Sequence, residues 1–352
     1  MRVVIPVLGF SKSGGERVLS KLATELSRSG HDTFFVVPED KSIPYYETEA
    51  TIIRSPQVKK YSKIINFIAS YYCIWKACRQ LKPDVAIANF HLTAYLVLFL
   101  GFNLKKIYYI QAYEVVFGSN IIQKFMAYVT YFLPLIKVVN NEKLLPTYIN
   151  NYSAVVSAGL DLELFTPRVF RLNRELLTIG IVGRKEQHKG TSEVIDTIIQ
   201  WSAKCQIHLN IAVYLSDSNR LKLQENRISY EYTAIYSDQD LAKFYRTNDL
   251  MIATGLVEDG AFHYPCAESM ASGCLVISNY APLTTTKSYL KLDTFSKEAL
   301  LLKLDLVLQL PESDLHNEVQ DNIKEVAKIS WNEIGKQFNA VLTKTPFKKQ
   351  MR

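Results

Sequence analysis

The sequence predicts an α/β protein with two doubly wound, Rossmann-like parallel sheets, each in its own domain. Short β-rich apolar runs such as "RVVIPVL" and "DTFFVVP" alternate with segments of helical spacing, of which Glu16–Ser29 is the first. The same alternation starts again at "LLTIGIVG". It is typical of βαβ units, whose parallel strands carry helices on both faces. Because 352 residues exceed one ordinary core, we expect two domains of similar size facing each other across a cleft.

A proline-bearing, charged stretch separates the two halves of the chain. Residues 161–174 interrupt both the strand and the helix patterns and are interpreted as a linker. The first domain is then expected to span residues 1–160 and the second residues 175–330. A last helical pattern begins after Ser330, which is a favourable N-cap residue.

The composition indicates a globular protein without a membrane span. Hydrophobic residues make up 48% of the chain and charged residues 21%, which excludes a disordered chain. The longest nearly uncharged runs, residues 86–103 and 125–136, fall short of the roughly 20 apolar residues of a spanning helix. Five cysteines without a C-x-x-C pair suggest reduced thiols in the cytosol and no zinc site. The opening run "MRVVIPVLGF" is interpreted as a first strand and not as a signal peptide.

A glycine-bearing loop follows the first predicted strand. In "SKSGGERV", Gly14 and Gly15 precede a helix, and Arg17 lies in its first turn. Two glycines allow backbone N–H groups to approach an anion or a sugar oxygen. A plain tight turn explains the same residues equally well.

Two cations follow the first predicted strand of the second half. In "IVGRKEQHKG", Gly183 leaves the strand, and Arg184 and Lys189 lie on the loop that enters a helix. Cations oppose the dipole at a helix N-terminus, so their presence there indicates an anionic ligand such as a diphosphate. Lys185 and His188 are interpreted as solvated, and a solvated basic loop is the alternative for the whole segment.

A segment with three acids and a histidine precedes the final predicted strand. In "VEDGAFHYPCAESMASGCLVISN", Glu258, Asp259, Gly260 and His263 come before a helix of small residues that is expected to begin at Glu268. A carboxylate at this position either caps the helix or accepts hydrogen bonds from the two hydroxyls of a ribose.

Polar side chains also follow two predicted strands of the first half. The strand "KIYYI" is followed by Gln111, Tyr113 and Glu114, and His91 follows the strand before it. Polar groups at the carboxyl ends of parallel strands indicate a ligand site. A structural hydrogen-bond network is the alternative, and His91 fits either role.

These segments, in this order, resemble family 4 of the GT-B glycosyltransferases, which are retaining enzymes that use nucleotide sugars. The resemblance covers nearly the whole chain. It implies the GT-B fold, with the first domain binding the acceptor, the second binding the donor, and residues 331–352 crossing back onto the first. Its motifs are the Gly14–Val18 loop, the interdomain segment "SAGLDLELFTP", the Arg184 and Lys189 pair, the segment "YPCAESMASGCLVIS" and the terminal helix from Trp331.

The resemblance also implies roles for the candidate residues. Arg184 and Lys189 would bind the donor diphosphate and stabilise its charge as it leaves, while Glu268 would hold the ribose. The other donor-binding residues would be Gly14, Gly15, Arg17, Gly183, Glu258, Asp259, Gly260 and His263. The residues that contact the acceptor or the transferred sugar would be His91, Gln111, Tyr113 and Glu114.

Two positions depart from the family pattern. The first of the family's two glutamates falls at Gly260 here, so a small insertion would have to bring Glu258 or Asp259 to its place. Many members have a histidine where this chain has Gln111. "IQAYE" instead resembles a variant found in bacterial polysaccharide glycosyltransferases, rhamnosyltransferases among them. These departures leave the identity of the transferred sugar open.

The activity implied is retaining transfer of a sugar from a dTDP-, UDP- or GDP-linked donor to a glycan. The acceptor hydroxyl would attack the face from which the nucleoside diphosphate leaves, and the β-phosphate would take its proton. Arg184 and Lys189 would replace a metal ion, so neither a metal nor another cofactor is expected.

The nature of the acceptor is inferred from charge. The net charge of +7 favours an anionic partner, and residues 58–82 interleave cationic and aromatic side chains in a pattern that fits an anionic bilayer surface. We therefore expect a lipid-linked acceptor, such as a polyprenyl-diphosphate glycan of O-antigen, capsule or exopolysaccharide synthesis. The enzyme would be cytoplasmic and peripheral on the inner face of the cytoplasmic membrane. A helix packed by its aromatic face, with its lysines in water, is the alternative.

Two other functions fit parts of the sequence. A nucleotide-sugar 2-epimerase shares the two-sheet architecture and would act without an acceptor. A nucleic-acid-binding protein fits the charge, but the sequence contains no recognised binding module, and we expect no nucleic-acid partner. A dehydrogenase is less favoured, because "GFSKSGG" does not place the G-x-G-x-x-G of a dinucleotide site after the first strand.

Overall fold

Two parallel sheets organise the chain, one in each of two structural units. The computed structural model describes residues 1–60, 62–142, 144–149, 151–257 and 260–344. The first unit contains Met1–Gly159 and the returning segment that starts at Trp331, and the second contains Leu160–Ser330. The predicted α/β class with two Rossmann-like parallel sheets is confirmed.

The first unit is built on a sheet of seven parallel strands within the described residues. Val3, Val4 and Ile5 of its first strand are fully buried, as the apolar run in the sequence predicts. The strands are β1 (Arg2–Pro6), β2 (Asp32–Pro38), β3 (Thr51–Ser55), β4 (Val85–Ala88), β5 (Lys105–Ile110), β6 (Ile136–Val139) and β7 (Ala154–Val155). Their order in the sheet is β3-β2-β1-β4-β5-β6-β7.

Helices cover both faces of this sheet. The side chain of Ser13 caps α1 (Gly14–Arg28), which connects β1 to β2 in one direction across the sheet. The helices α2 (Lys63–Gln80), α3 (His91–Leu98) and α4 (Ile121–Thr130) belong to crossovers that run in the opposite direction. Because crossovers between parallel strands are right-handed, these three helices form one layer, on the face opposite to α1.

The second unit repeats the design with five parallel strands in its described part. The strands are β8 (Leu176–Val182), β9 (Gln206–Ala212), β10 (Ser229–Thr233), β11 (Leu250–Ile252) and β12 (Leu275–Ile277). Their order is β10-β9-β8-β11-β12. The helices are α5 (Thr191–Trp201), α6 (Asp217–Glu225), α7 (Asp238–Arg246), α8 (Tyr264–Ala271), α9 (Lys297–Gln309) and α10 (Glu312–Ala327).

The chain then returns to the first unit as α11 (Trp331–Lys344), which packs on α1. Gly335 permits this close packing, since a Cβ atom there would lie 2.6 Å from the Cβ of Glu25. Asn339 Oδ1 is hydrogen-bonded to His31 Nε2 at 2.8 Å, and the buried side chain of Lys105 donates to the carbonyl oxygen of Leu342. These contacts make the helix an integral part of the first unit.

Local features differ from the sequence-based expectations. Residues 161–174 belong to the second unit, because Phe165 and Phe170 are buried in its cores. α8 begins at Tyr264 and not at Glu268, since a proline such as Pro265 is well tolerated in the first turn of a helix. Among the described residues, no helix is both long and apolar enough to cross a membrane.

Each of the two sheets contains one point at which the strand order reverses. The order reverses between β1 and β4 in the first sheet and between β8 and β11 in the second. Ligands of open α/β sheets bind at the carboxyl ends of the strands that flank such a reversal. The loops that follow these four strands, together with the helices that those loops enter, contain most of the residues selected from the sequence.

Candidate functional site

The loop after β8 presents a cation at the carboxyl edge of the second sheet. Gly183 leaves the strand so close to Tyr214 that a Cβ atom would lie 1.9 Å from the carbonyl oxygen of that residue. Thr191 Oγ1 closes the loop, accepting from Arg184 N at 2.9 Å and donating to Arg184 O at 3.2 Å. The side chain of Arg184 is exposed and makes no ion pair with any described residue. The loop therefore fixes the backbone of Arg184 and leaves its guanidinium group exposed.

The loop after β11 is fixed on two sides. Leu256 N donates to His188 O at 2.8 Å, which ties it to the loop after β8. The buried side chain of Asn279, just after β12, accepts from Gly255 N at 3.1 Å and donates to Gly255 O at 2.7 Å. The carboxyl ends of three neighbouring strands are thus joined into one edge.

Gly260 lies at the far end of this loop. It has a positive φ of 77°, a conformation that favours glycine, and its N–H donates to Asn279 O at 2.8 Å. A residue with a side chain would be strained in this conformation. Glu258 and Asp259, which the sequence suggests as substitutes, lie outside the described residues.

His263 lies beside both cations of this edge. Its ring centroid is 4.3 Å from that of Tyr280, and Lys189 Nζ is 5.5 Å from the same tyrosine ring. Burial lowers the pKa of His263 well below its ordinary value, and the positive charges of Lys189 and Arg184 lower it further. Its Nδ1 is buried without a hydrogen-bond partner among the described residues. A neutral imidazole beside two cations is an environment that an anionic group would complete.

Glu268 lies deeper than the sequence suggests. It is in the second turn of α8, only 1% exposed, and its Oε2 accepts from Tyr245 Oη at 2.9 Å. The tyrosine ring packs edge-on against Phe165, with centroids 5.9 Å apart. The expectation that Glu268 begins the helix is therefore wrong by about one turn. Its carboxylate is therefore positioned by a contact with another helix, through the hydroxyl group of Tyr245.

In the first unit, the end of β5 contacts the glycine-bearing loop. Gln111 Nε2 donates to Gly15 O at 3.3 Å, and Asn140 Nδ2, just after β6, donates to Gln111 O at 2.8 Å. Gly14 and Gly15 form the first turn of α1. The structure thus brings together two of the segments that the sequence selected separately.

Glu114 is buried in a hydrogen-bond network that includes His91. Its carboxylate accepts from Tyr108 Oη and from the backbone N–H of His91, both at 2.6 Å, and lies 2.9 Å from His91 Nδ1. This geometry suits a His91 tautomer whose Nδ1–H donates to the carboxylate. Glu114 N donates to Tyr131 Oη at 2.8 Å. Tyr113 stacks on Tyr131 at 5.7 Å, and burial raises the pKa of Tyr113 to about 12, so its phenol stays protonated.

The first turn of α1 contains a half-buried acid that the sequence motifs do not select. Ser13 and Glu16 have the spacing of a capping box, but among the described residues only one half forms, with Glu16 N donating to Ser13 Oγ at 3.3 Å. Glu16 Oε2 is buried without a described hydrogen-bond partner, and burial raises the pKa of Glu16 to about 7. The adjacent Arg17 is also buried.

The raised pKa of Glu16 predicts a pH-dependent stability. The charged carboxylate is disfavoured in the folded state. Its ionisation therefore lowers the free energy of unfolding as the pH rises above the unfolded pKa near 4.5, and the loss is complete above about pH 7. Replacing Glu16 with glutamine should increase the free energy of unfolding more at pH 8.5 than at pH 5, by about 2 kcal/mol. Urea unfolding at both pH values measures the difference. The exposed Glu47→Gln variant is the control, and an equal effect at both pH values would contradict the assigned shift.

Several residues that shape these edges belong to no motif found in the sequence. Asn279 and Tyr280 lie two and three residues after the end of β12, so the strand-end rule that selected Gln111 also points to them. Tyr245 and Tyr108 lie inside a helix and a strand, where an aromatic residue is ordinarily a core residue. Their hydrogen bonds to the two glutamates depend on tertiary contacts alone.

Comparisons with known proteins relate the chain to one class of enzyme. Residues 12–127, roughly a third of the chain, match the sequence model of Glycosyltransferase Family 4. No curated protein matches the sequence. The structure is similar to sucrose-phosphate synthase from Thermosynechococcus elongatus, with a TM-score of 0.76, 16% identity and 98% of each chain covered.

Two further solved structures are similar over nearly the whole chain. HepE from Anabaena, in complex with UDP and glucose, has a TM-score of 0.73 and 11% identity, covering 98% of this chain and 100% of that one. The lipopolysaccharide outer core galactosyltransferase WaaB has a TM-score of 0.74 and 15% identity, with the same coverage. The shared fold is GT-B.

Proposed function

We propose that this chain, a glycosyltransferase with the GT-B fold and a family 4 segment over residues 12–127, transfers a sugar with retention from a nucleoside diphosphate to a lipid-linked glycan. The observation that carries the proposal is the cationic edge of the second unit. There, Arg184 and Lys189 lie beside a neutral His263 whose Nδ1 has no described partner. A diphosphate would bring negative charge to the two cations and hydrogen-bonding oxygens to His263 Nδ1.

The donor diphosphate would bind at the loop after β8. Each charge-assisted hydrogen bond from Arg184 or Lys189 contributes roughly 1.5–3 kcal/mol. Glu268, fixed by Tyr245, would accept hydrogen bonds from the ribose hydroxyls. Because HepE was solved with UDP and glucose, a UDP-sugar is the first donor to test, ahead of dTDP- and GDP-sugars.

The reaction would depend on stabilising the leaving group. As the bond from the sugar to the β-phosphate breaks, negative charge grows on the diphosphate, where two fixed cations offset it. The acceptor hydroxyl would attack the same face of the sugar, and its proton would pass to the leaving β-phosphate. In the first unit, Gln111, Tyr113 and His91, the last positioned by Glu114, would contact the acceptor or the sugar.

The acceptor would be a lipid-linked glycan of O-antigen, capsule or exopolysaccharide synthesis. The basic segment at residues 58–82 supports a peripheral enzyme on the inner, cytoplasmic face of the membrane. The similarity to WaaB, a lipopolysaccharide outer core galactosyltransferase, supports an acceptor of this kind.

Thermal unfolding with UDP, GDP and dTDP tests the donor site. One nucleoside diphosphate at 100 times its Kd should stabilise the protein by about 2.7 kcal/mol. Arg184→Ala and Lys189→Ala should abolish the shift. Lys185→Ala, which removes an exposed cation from the same loop, is the matched control and should retain it.

The outcome also separates the proposal from its rivals. A protein stabilised by none of the three nucleotides would overturn it. Conversion of the nucleotide sugar without acceptor, and with its glycosyl–phosphate bond intact, would indicate an epimerase. Release of nucleoside diphosphate only when an acceptor is added, with the donor's anomeric configuration retained in the product by NMR, is the expected result.

A further inference from the structure

We propose that the first unit carries a membrane-contact surface, formed by Lys63–Tyr72 of α2 and Val116–Met126 around the start of α4, that lies in the headgroup region of an anionic lipid bilayer. The inference rests on the proposed function, because it gives the enzyme a way to meet a lipid-borne acceptor. The sequence alone indicates a bilayer contact for residues 58–82. The structure adds α4 to this surface and shows which edge of the first unit would face the bilayer.

The start of α4 exposes an unusual run of apolar residues. The first six residues of the helix are all exposed, and Ile121 and Phe125 have exposed fractions of 82% and 64%. Phe117, in the preceding turn of 3-10 helix, is exposed as well. A contiguous patch of large, exposed apolar side chains marks a site of interaction with a protein or a membrane.

α2 exposes a second group of apolar residues, again in its first turns. Ile64 has an exposed fraction of 73%, and Ile65, Phe67 and Ile68 are also exposed. Two aromatic residues further along the helix are committed to packing on α3: Tyr71 Oη donates to Leu92 O at 2.7 Å, and Trp75 Nε1 donates to Phe99 O at 3.0 Å. The exposed apolar face of α2 therefore consists mainly of isoleucines and one phenylalanine near its N-terminus.

The two groups lie on the same side and at the same edge of the unit. α2, α3 and α4 form one layer, and Tyr95 Oη of α3 donates to Met126 O of α4 at 2.8 Å. With α3 between them and neighbouring axes about 8–10 Å apart, α2 and α4 are roughly 16–20 Å apart. Each helix follows the carboxyl end of a strand, with 7 residues between β3 and α2 and 10 residues between β5 and α4. The surface therefore borders the candidate site, and His91 begins the helix in the middle of the layer.

The charge of these segments favours an anionic bilayer over a second copy of the chain. No Asp or Glu occurs between Glu49 and Asp84 or between Glu114 and Glu142. The exposed cations of this surface and the loop before it are Lys59, Lys60, Lys63 and Lys124. A symmetric dimer through this face would bring the same lysines together, whereas anionic headgroups attract them while the apolar side chains enter the interface.

Sedimentation with lipid vesicles tests the proposal. Wild-type protein should bind vesicles of phosphatidylglycerol and phosphatidylcholine, and its binding to pure phosphatidylcholine should be weaker. The double variant Ile121→Ser/Phe125→Ser should lower partitioning at least about tenfold. Phe102→Ser is the matched control, because Phe102 is 92% exposed but lies after the end of α3, at the opposite edge of the sheet, and it should bind as wild type does.

Each outcome has a defined meaning. The proposal is overturned if the wild type does not bind anionic vesicles or if the double variant binds them as strongly as the wild type does. It is also overturned if light scattering shows that the wild type is a dimer without lipid and that the double variant is a monomer. Thermal stabilisation of the double variant by nucleotide tests the donor site independently of the membrane-contact surface. The two substitutions lie outside the donor site, so the variant should still be stabilised. Vesicle binding without any nucleotide binding would sustain the surface and overturn the enzyme function.

Discussion

Replacing Arg184 with alanine should lower kcat/KM for sugar transfer by about 100-fold or more. Removing one fixed donor from a site of developing negative charge typically costs this much, because the leaving group then departs without its compensating cation. The backbone of the loop should be unaffected, since Thr191 closes it through the main chain of Arg184 and not through the guanidinium. Steady-state kinetics with a UDP-sugar and a lipid-linked acceptor measures the change.

The same substitution has a second readout that is independent of turnover. Burial is the main cause of the lowered pKa of His263, and the charges of Lys189 and then of Arg184 add to it, so removing Arg184 should raise that pKa slightly. NMR titration of the imidazole would follow the change without substrate. Lys185→Ala should change neither the kinetics nor the titration by much. An Arg184→Ala enzyme with wild-type kinetics would show that the cationic edge is not the donor site.

The sequence predicts the architecture well because apolar periodicity depends on local residues. The runs around Val3–Ile5 and Ile179–Ile181 alternate with helical segments, and they form interior strands of the two sheets. The Gly183 and Arg184 pair is also accessible from sequence, because a strand end followed by a glycine and a cation is a local pattern. The carbonyl of Tyr214, which makes glycine necessary there, is a tertiary contact and is visible only in the structure.

Burial is the property that the sequence motifs fail to predict. Glu16 has the spacing of a helix cap, yet its carboxyl group is buried and its pKa is raised to about 7. Glu268 reads as the first residue of a helix, yet it lies a turn further in, against Tyr245. In both cases the local pattern is correct in kind, and packing from other segments decides what the carboxyl group contacts.

Replacing Glu114 with alanine should destabilise the protein by about 3–5 kcal/mol. The carboxylate accepts hydrogen bonds from Tyr108 Oη and from the backbone and ring N–H groups of His91, and it is only 4% exposed. Alanine leaves these buried donors without an acceptor, at roughly 1–3 kcal/mol for each unsatisfied group, and adds a cavity. Urea unfolding monitored by far-UV circular dichroism measures the loss.

Two further variants separate the network from simple packing. Tyr108→Phe removes one donor and leaves the carboxylate paired with His91, so it should cost only about 1 kcal/mol. Glu114→Gln keeps the volume but turns an N–H group toward a donor, so it should lie between Tyr108→Phe and Glu114→Ala. If Glu114→Gln is as stable as wild type, the carboxylate is not the common acceptor of these donors. His91 would then be held at the start of α3 by the helix alone, and the network would not position it for a ligand.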